Sequence, residues 1–332
     1  MRSVPILIVG GGAAGMMAAA AVSGCGKKAL IIEKMNQLGK KILATGNGRC
    51  NYTNLRQKPE FYHVDETDGV WEILKRFDEK QAISFFKDAG VYPRERDGYV
   101  YPMSLQAVSL RNCLQRKIDK KWVHLEEEVL EITQNMSELG KCTGFVVKTD
   151  KDRYLAKKVI ITAGGMASKC HGSNGACFDI LKSLGHTIIK PVPALTWLKI
   201  EEKYTKLWAG VRVNGKIKAY DENKNELAED SGELQLVSTG ISGIPVFQIS
   251  RYISRQLEKT KRAYIEADFL TEFSKDELLG EILRRRQDEQ ELEVSYILEG
   301  IMNNKLVDAI LSRAGINKNS KLKDLTTEQC EQ

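Results

Sequence analysis

Apolar residues in this chain fall in short runs separated by glycine-rich or charged stretches. Val4–Val9 is a continuous apolar run of strand formers, and Ala29–Ile32 is a second one that stops at Glu33. Between them Met16–Val22 is rich in Ala and Met and predicts a helix, closed by Cys25-Gly26 and Lys27-Lys28. Val70–Ala89 spaces Trp71, Leu74, Phe77, Ile83 and Phe86 for one helical face, so its aromatics serve a core. Val91–Pro102 reads as a hairpin about Asp97-Gly98. Gln106–Lys121 predicts a helix and Val123–Ile132 a strand with a bend. Gly144–Thr149 and Arg153–Tyr154 predict another hairpin, and Val159–Ala163 an apolar strand running into Gly164-Gly165.

Beyond Pro191 the pattern changes. The β-prone runs Leu195–Ile200, Leu207–Val213, Lys216–Tyr220 and Glu233–Val237 are separated by turn signals such as Asn214-Gly215 and Ser231-Gly232. They predict a small antiparallel sheet or barrel. From Ile249 onward Arg251–Lys261, Lys275–Asp288 and Leu292–Ala314 predict charged helices, the second opened by a capping box at Ser274–Glu277. The expected divisions are an α/β domain over 1–190, a β-rich subdomain over 191–250, a helical subdomain over 251–316 and a polar tail over 317–332.

The first strand–helix–strand unit carries chemistry. Gly10, Gly12 and Gly15 fall in the spacing G-x-G-x-x-G, and Glu33 follows eighteen positions after Gly15. Gly10 allows the tight turn out of the strand, Gly12 lets a pyrophosphate reach the backbone, and Gly15 lets the helix pack on the sheet. The amides that open the helix, at Ala13 and Ala14, would then face the phosphates. A carboxylate at the end of the second strand accepts ribose hydroxyls and disfavours a 2′-phosphate, which suits FAD or NAD over NADP.

A second glycine-rich segment, Asn36–Asn54, follows directly. Lys40, Lys41 and Arg49 can neutralise phosphate, Gly46 permits unusual backbone angles, and Asn51 is a short hydrogen-bonder. With Lys34 and Cys50 they form a candidate cofactor clamp, the plainer reading being an ordinary polar loop.

The stretch GKKILATGNGRCNYTN resembles a flavoprotein family that includes BaiN-type and YhiN-type proteins and aminoacetone oxidase. The resemblance covers nearly the whole chain. It implies a glutathione reductase-like, Rossmann-type FAD-binding domain with the β-rich and helical subdomains inserted. It places a backbone amide at Val129 against adenine and makes VIITAGG, with Ala163, Gly164 and Gly165, a second FAD-contacting turn. Gly172–Gly175 and Leu184–His186 also match, while Cys177 stands where the family usually has Gly. LVSTGISGIPVFQIS, Leu236–Ser250, resembles a third motif, in which a Gly-Ser-Gly turn on the substrate side starts a helix. A plain helix start with Pro245 in its first turn reads equally well. The implied activity is FAD-dependent oxidoreduction, with NAD(P)H as a possible donor. The implied substrates are a ketosteroid or enone, an amine, or a uridine of ribosomal RNA. Relative to the family the chain looks truncated at its C-terminus, from which weak FAD retention is expected.

Composition narrows the field. Of the 332 residues 42% are hydrophobic, enough for more than one core. Seven cysteines without a C-x-x-C pair point to reduced cytoplasmic thiols rather than a disulfide framework. The four histidines, His63, His124, His171 and His186, are scattered, so no zinc site is expected, and His186 reads as structural. Ser3–Gly26 carries no charge, and Val22–Cys25 resembles a lipoprotein cleavage site. Arg2 alone as an n-region charge and three adjacent glycines at the centre of the run argue against both membrane and secretory readings. The net charge of +6 tolerates an anionic substrate or RNA without requiring one, and Arg284-Arg285-Arg286 reads most simply as a solvated face. No triad, metal cluster or paired nucleophile and base is evident, so no catalytic acid or base is assigned. The alternatives are an NAD-dependent dehydrogenase, which the Arg49-Cys50-Asn51 loop argues against, and an inactive nucleotide- or RNA-binding remnant.

Overall fold

The two apolar runs around the glycine turn become β1 (Arg2–Val9) and β2 (Leu30–Glu33), with α1 (Ala13–Gly24) between them. A computed structural model describes residues 1–62 and 67–331; His63 lies outside them. β1 and β2 pair in parallel, Leu7 against Leu30 and Val9 against Ile32. Ile8 and Ile31 pack with Met16 and Ala19 of α1, while Leu7, Val9, Leu30 and Ile32 enter a separate cluster. Burial on both faces explains why these runs show no polar alternation.

Two short 3-10 turns within Ile42–Gly48, separated by a kink at residues 45–47, are followed by β3 (Thr53–Asn54), α2 (Thr67–Lys75), α3 (Glu79–Asp88), β4 (Pro93–Arg96), β5 (Tyr99–Pro102) and α4 (Ala107–Arg116). The expected hairpin forms, with φ of 53° at Asp97 and 87° at Gly98. The single helix expected over Val70–Ala89 is two helices. Asp78 interrupts it, its carboxylate accepting from the Gln81 N–H at 2.8 Å while the Gln81 side chain accepts from the Asp78 N–H at 2.9 Å. This reciprocal cap opens α3. The helix expected to reach Lys121 ends at Arg116, and Lys120–Trp122 forms its own turn capped by Asp119.

β6 (Val123–Leu125), β7 (Val129–Met136), β8 (Cys142–Thr149), β9 (Arg153–Ile161) and α5 (Ala176–Ser183) complete the first unit, Met1–Ile189. Its six-stranded sheet has the order β6-β2-β1-β9-β8-β7, parallel through β9 and antiparallel beyond. The bent strand expected over Val123–Ile132 is therefore two strands at opposite ends of that order. Only residues 126–128 join them, a reach of at most ~14 Å, whereas five strand spacings in a flat sheet take ~24 Å. The sheet must curl over itself, and Val129, Ile132, Val147 and Tyr154 pack in one cluster with Leu7 and Ile32. Arg153–Tyr154 and Val159–Ile161 are one continuous strand, β9.

The second unit is Lys190–Gln332. β10 (Leu198–Lys199), β11 (Arg212–Tyr220), β12 (Glu226–Val237), β13 (Gly240–Gly243) and β14 (Tyr264–Asp268) form an antiparallel sheet, β10-β13-β12-β11-β14, against which α6 (Ile244–Thr260) packs. Asn214-Gly215 and Ser231-Gly232, expected as turns, lie inside one ribbon with Gly215 opposite Gly232. A Cβ on Gly215 would sit 2.5 Å from the Asp268 carbonyl oxygen, so this glycine admits β14 rather than making a turn. The chain turns instead at Asp221, whose carboxylate accepts from the N–H groups of Asn223 and Asn225 at 2.8 Å.

Gly240–Gly243 is a strand, and α6 starts directly after it with Pro245 in its first turn, so the helix start common to both readings of this stretch is present. The expected boundary at 250/251 falls inside α6. α7 (Lys275–Asp288) has its expected bounds. α8 (Val294–Glu299) and α9 (Asn304–Arg313) replace one expected helix, the second capped by Asn303. The residues expected as a polar tail fold back: Leu322 and Leu325 are buried with Val307 and Leu311, and α10 (Thr327–Glu331) follows. Among the described residues no helix is long and apolar enough to cross a membrane.

Candidate functional site

The carboxyl ends of β1, β2 and β9 meet where the strand order changes direction around β1, the usual place for a ligand in an open α/β sheet. Gly10 leaves β1 at φ 97°, its N–H bonded to the Ile32 carbonyl at 2.8 Å. A Cβ on Gly15 would lie 1.9 Å from the Gly10 carbonyl oxygen, so Gly15 is what lets α1 seat on β1. At Gly12 the situation is reversed. A Cβ there would meet nothing within 4 Å. Gly12 is also the N-cap of α1, with no side-chain cap and no acid in the first turn. The first amides of α1 therefore lack intrahelical partners at an open groove.

Glu33 is held across this turn. Its Oε2 accepts from the Gly11 N–H at 2.6 Å and its Oε1 from the Met35 N–H at 2.7 Å. Each oxygen retains a lone pair for a further donor. Lys34 donates to Asn174 Oδ1 at 2.8 Å, and Lys41 donates to the Ala167 carbonyl at 3.0 Å and to Ser173 Oγ. Both lysines thus tie the loop at 167–175 to the segment after β2. Gly164, at φ 75°, leaves room for Ser173, whose Oγ would be 2.9 Å from a Cβ.

A cavity of about 270 Å³ lies here, bordered by Gly10, Gly12, Ala13, Ala14, Glu33, Lys34, Lys40, Lys41, Val129, Ala163 and Gly164. These expected residues come together from five separate stretches of chain. Cys50 and Asn51 border a neighbouring cavity of about 780 Å³, which shares Ala13, Ala14, Ile42 and Thr45 with the first. Gly15 lies beneath the groove, and Gly46, Arg49 and Gly165 border neither cavity. Gly46, at φ 55°, shapes the tight 45–51 turn, where a Cβ would come 2.9 Å from the Asn51 nitrogen. Arg49 is exposed. Burial pushes the Cys50 thiol up, so it stays protonated, and it is free of disulfides.

The sequence reading missed Glu127 and His171 on the walls of the smaller cavity, which Thr162 of the VIITAGG turn also borders. Glu127 sits in the crossover between β6 and β7, which no local pattern reveals. His186 closes the C-terminal end of α5 through its N–H to the Leu181 carbonyl at 3.1 Å. The basic run is largely neutralised within α7: Arg284 pairs with Glu281 and Asp288, and Arg285 with Glu281. Among the described residues no group of His, Cys, Asp and Glu could hold a metal ion.

Residues 4–319 match the family model described as the HI0933-like protein Rossmann domain. The chain is 36% identical over 326 residues to a 3-dehydro-bile acid delta(4,6)-reductase of Clostridium scindens, covering 98% of this chain and 78% of that protein. It is 26% identical over 308 residues to a ribosomal RNA dihydrouridine synthase of Haemophilus influenzae, covering 91% and 72%. Among solved structures, the open conformation of a flavocytochrome c3 fumarate reductase overlaps at a TM-score of 0.42 and 15% identity, over 64% of this chain and 47% of that one. The chain belongs to the HI0933-like Rossmann family of FAD-dependent oxidoreductases.

Proposed function

We propose that the protein binds FAD with its pyrophosphate on the amides that open α1 and its adenosine against Glu33, and reduces a carbon-rich organic substrate with electrons from NAD(P)H. The observation that carries this reading is Gly12, the one glycine of the fingerprint whose missing side chain faces open space. The surrounding donor set fits the cofactor. The α1 amides and Lys41 offset phosphate charge, the anchored Glu33 carboxylate accepts ribose hydroxyls and repels a 2′-phosphate, and Gly164 keeps the far wall thin. Bound there, FAD would supply hydride-transfer chemistry.

The larger cavity supports an apolar substrate. Tyr52, Trp71, Phe77 and Phe86 line it, and Tyr52 Oη has no hydrogen-bond partner among the described residues. Burial raises the Tyr52 phenol, so it stays protonated. Together with the reductase relative, this favours a conjugated ketosteroid or similar enone over an amine.

The test is to titrate the apoprotein with FAD and NAD, then follow NADH and NADPH oxidation with a steroid enone. One FAD per chain, no displacement by NAD, and enone-dependent oxidation are expected; NAD binding in preference to FAD would refute the reading. An RNA substrate is the second reading, favoured by the net charge of +6 and the dihydrouridine synthase relative. Loss of uridine from ribosomal RNA fragments, with the enone inert, would establish it instead.

A further inference from the structure

We propose that Glu127 is a positioning residue for the adenosine end of the cofactor site, acting through a buried hydrogen-bond cluster that fixes the wall bearing Val129. The inference rests on the cofactor placement proposed above.

Glu127 is 4% exposed, and its carboxylate gathers groups from three strands. Oε1 accepts from Tyr154 Oη of β9 at 2.8 Å and from Thr149 Oγ1 of β8 at 2.7 Å. Oε2 lies 3.1 Å from Nδ1 of His124 on β6, and the same Nδ1 is 2.9 Å from Tyr154 Oη. The arrangement is self-consistent: His124 Nδ1–H donates, and Tyr154 accepts from it while donating to Glu127. Burial and the neighbouring carboxylate raise the Tyr154 phenol strongly, which keeps it a donor. Tyr154 and Thr149 are also buried, at 1% and 5% exposure.

The backbone extends the cluster into the groove. The Glu127 N–H donates to the Glu33 carbonyl at 3.1 Å, and the Glu126 N–H to the Met35 carbonyl at 3.1 Å. The three residues 126–128 bridge the two ends of the strand order, so the position of Val129 depends on where Glu127 is held. A buried carboxylate is costly unless its lone pairs are satisfied, and a purely structural crossover would be served as well by an apolar residue. Here the polar cluster couples the turn carrying Glu33 to the strand carrying Tyr154, which continues towards Ala163 and Gly164 on the opposite wall.

The experiment uses Glu127→Gln and Tyr154→Phe in the full chain, with FAD, ADP and FMN as titrants and the thermal midpoint of the apoprotein as a fold control. FMN lacks the adenosine half, so it separates positioning from general damage. Glu127→Gln should weaken FAD and ADP about tenfold and leave FMN within about twofold, the effect of one ill-satisfied buried group. Tyr154→Phe should shift the FAD-to-FMN ratio in the same direction by less. Equal losses for FAD and FMN, or a lower midpoint with an unchanged ratio, would overturn the inference. Glu33→Ala separates the two proposals. If it also leaves the ratio unchanged, the adenosine placement is wrong and both fail; if it shifts the ratio while Glu127→Gln does not, only the role of Glu127 fails.

Discussion

Replacing Gly12 or Gly15 with alanine adds the same methyl group at points three residues apart, with opposite expected outcomes. Gly12 has φ −73° and ψ −167°, ordinary for any L-residue, and a Cβ there has no neighbour within 4 Å. Gly12→Ala should therefore change apoprotein stability by no more than about 0.5 kcal/mol. On the proposed cofactor placement the methyl would stand where the phosphates approach the backbone. Losing one charge-assisted hydrogen bond costs about 1.5–3 kcal/mol, or about 10- to 150-fold in Kd.

At Gly15 the added carbon would lie 1.9 Å from the Gly10 carbonyl oxygen and 2.8 Å from Thr162 Oγ1. The first contact is backbone to backbone and is relieved only by moving α1 off the sheet. Overpacking of this kind costs about 1–3 kcal/mol, lowering the midpoint by about 2–12 °C in a unit of this size. Thermal unfolding by circular dichroism, with FAD titration by flavin fluorescence, measures both quantities. The reasoning is refuted if Gly12→Ala destabilises the apoprotein as much as Gly15→Ala, or if it binds FAD like the unaltered chain.

Asp78→Ala removes the cap that starts α3 and should cost about 1 kcal/mol, read as a lower urea midpoint at constant slope. Alkylation of the native protein followed by mass spectrometry should label the exposed Cys25, Cys142 and Cys170 well ahead of the buried Cys50, Cys113 and Cys177; labelling of Cys50 as fast as of Cys25 would contradict its burial. In α7 the guanidinium groups of Arg284 and Arg285 hold the Glu281 carboxyl down to about 2 from its ordinary 4.5. Its contribution to stability is thus present above pH 4.5 and fades as the pH falls from there through about 2. A carboxyl-carbon NMR titration should find that low midpoint, and Arg284→Ala should raise it.

How much the sequence disclosed follows the range of the interactions. The β1–α1–β2 unit and Glu33 were legible because glycine spacing, helix start and terminal acid all act within thirty residues of one another. α7 was legible from the Ser274 cap for the same reason. The break at Asp78 was also local, but its Asp and Gln lie inside a continuous amphipathic pattern that masks the cap. The crossover at 126–128 was not legible: VHLEEEVLEI shows two apolar ends, and nothing in it tells which strands they join. Gly215 and Gly232 misled because a glycine that turns the chain and one that admits a neighbouring backbone look alike until the partner strand is known. The groove residues supplied by the turn and the clamp lysines were named in advance; Glu127 depends on the curl of the sheet and was not.

The pairing of β1 with β9 has a consequence for biosynthesis. Arg2 pairs with Tyr154 and Val9 with Ile161, so the open side of the first strand finds its neighbour only after about 150 further residues have been made. Until Ile161 leaves the ribosome, the nascent protein carries an unpartnered apolar edge and an incomplete candidate cofactor groove, the condition in which chaperones bind and aggregation begins. On the proposed placement FAD can assist maturation only after that point, and slowing translation before it should lower the yield of folded protein.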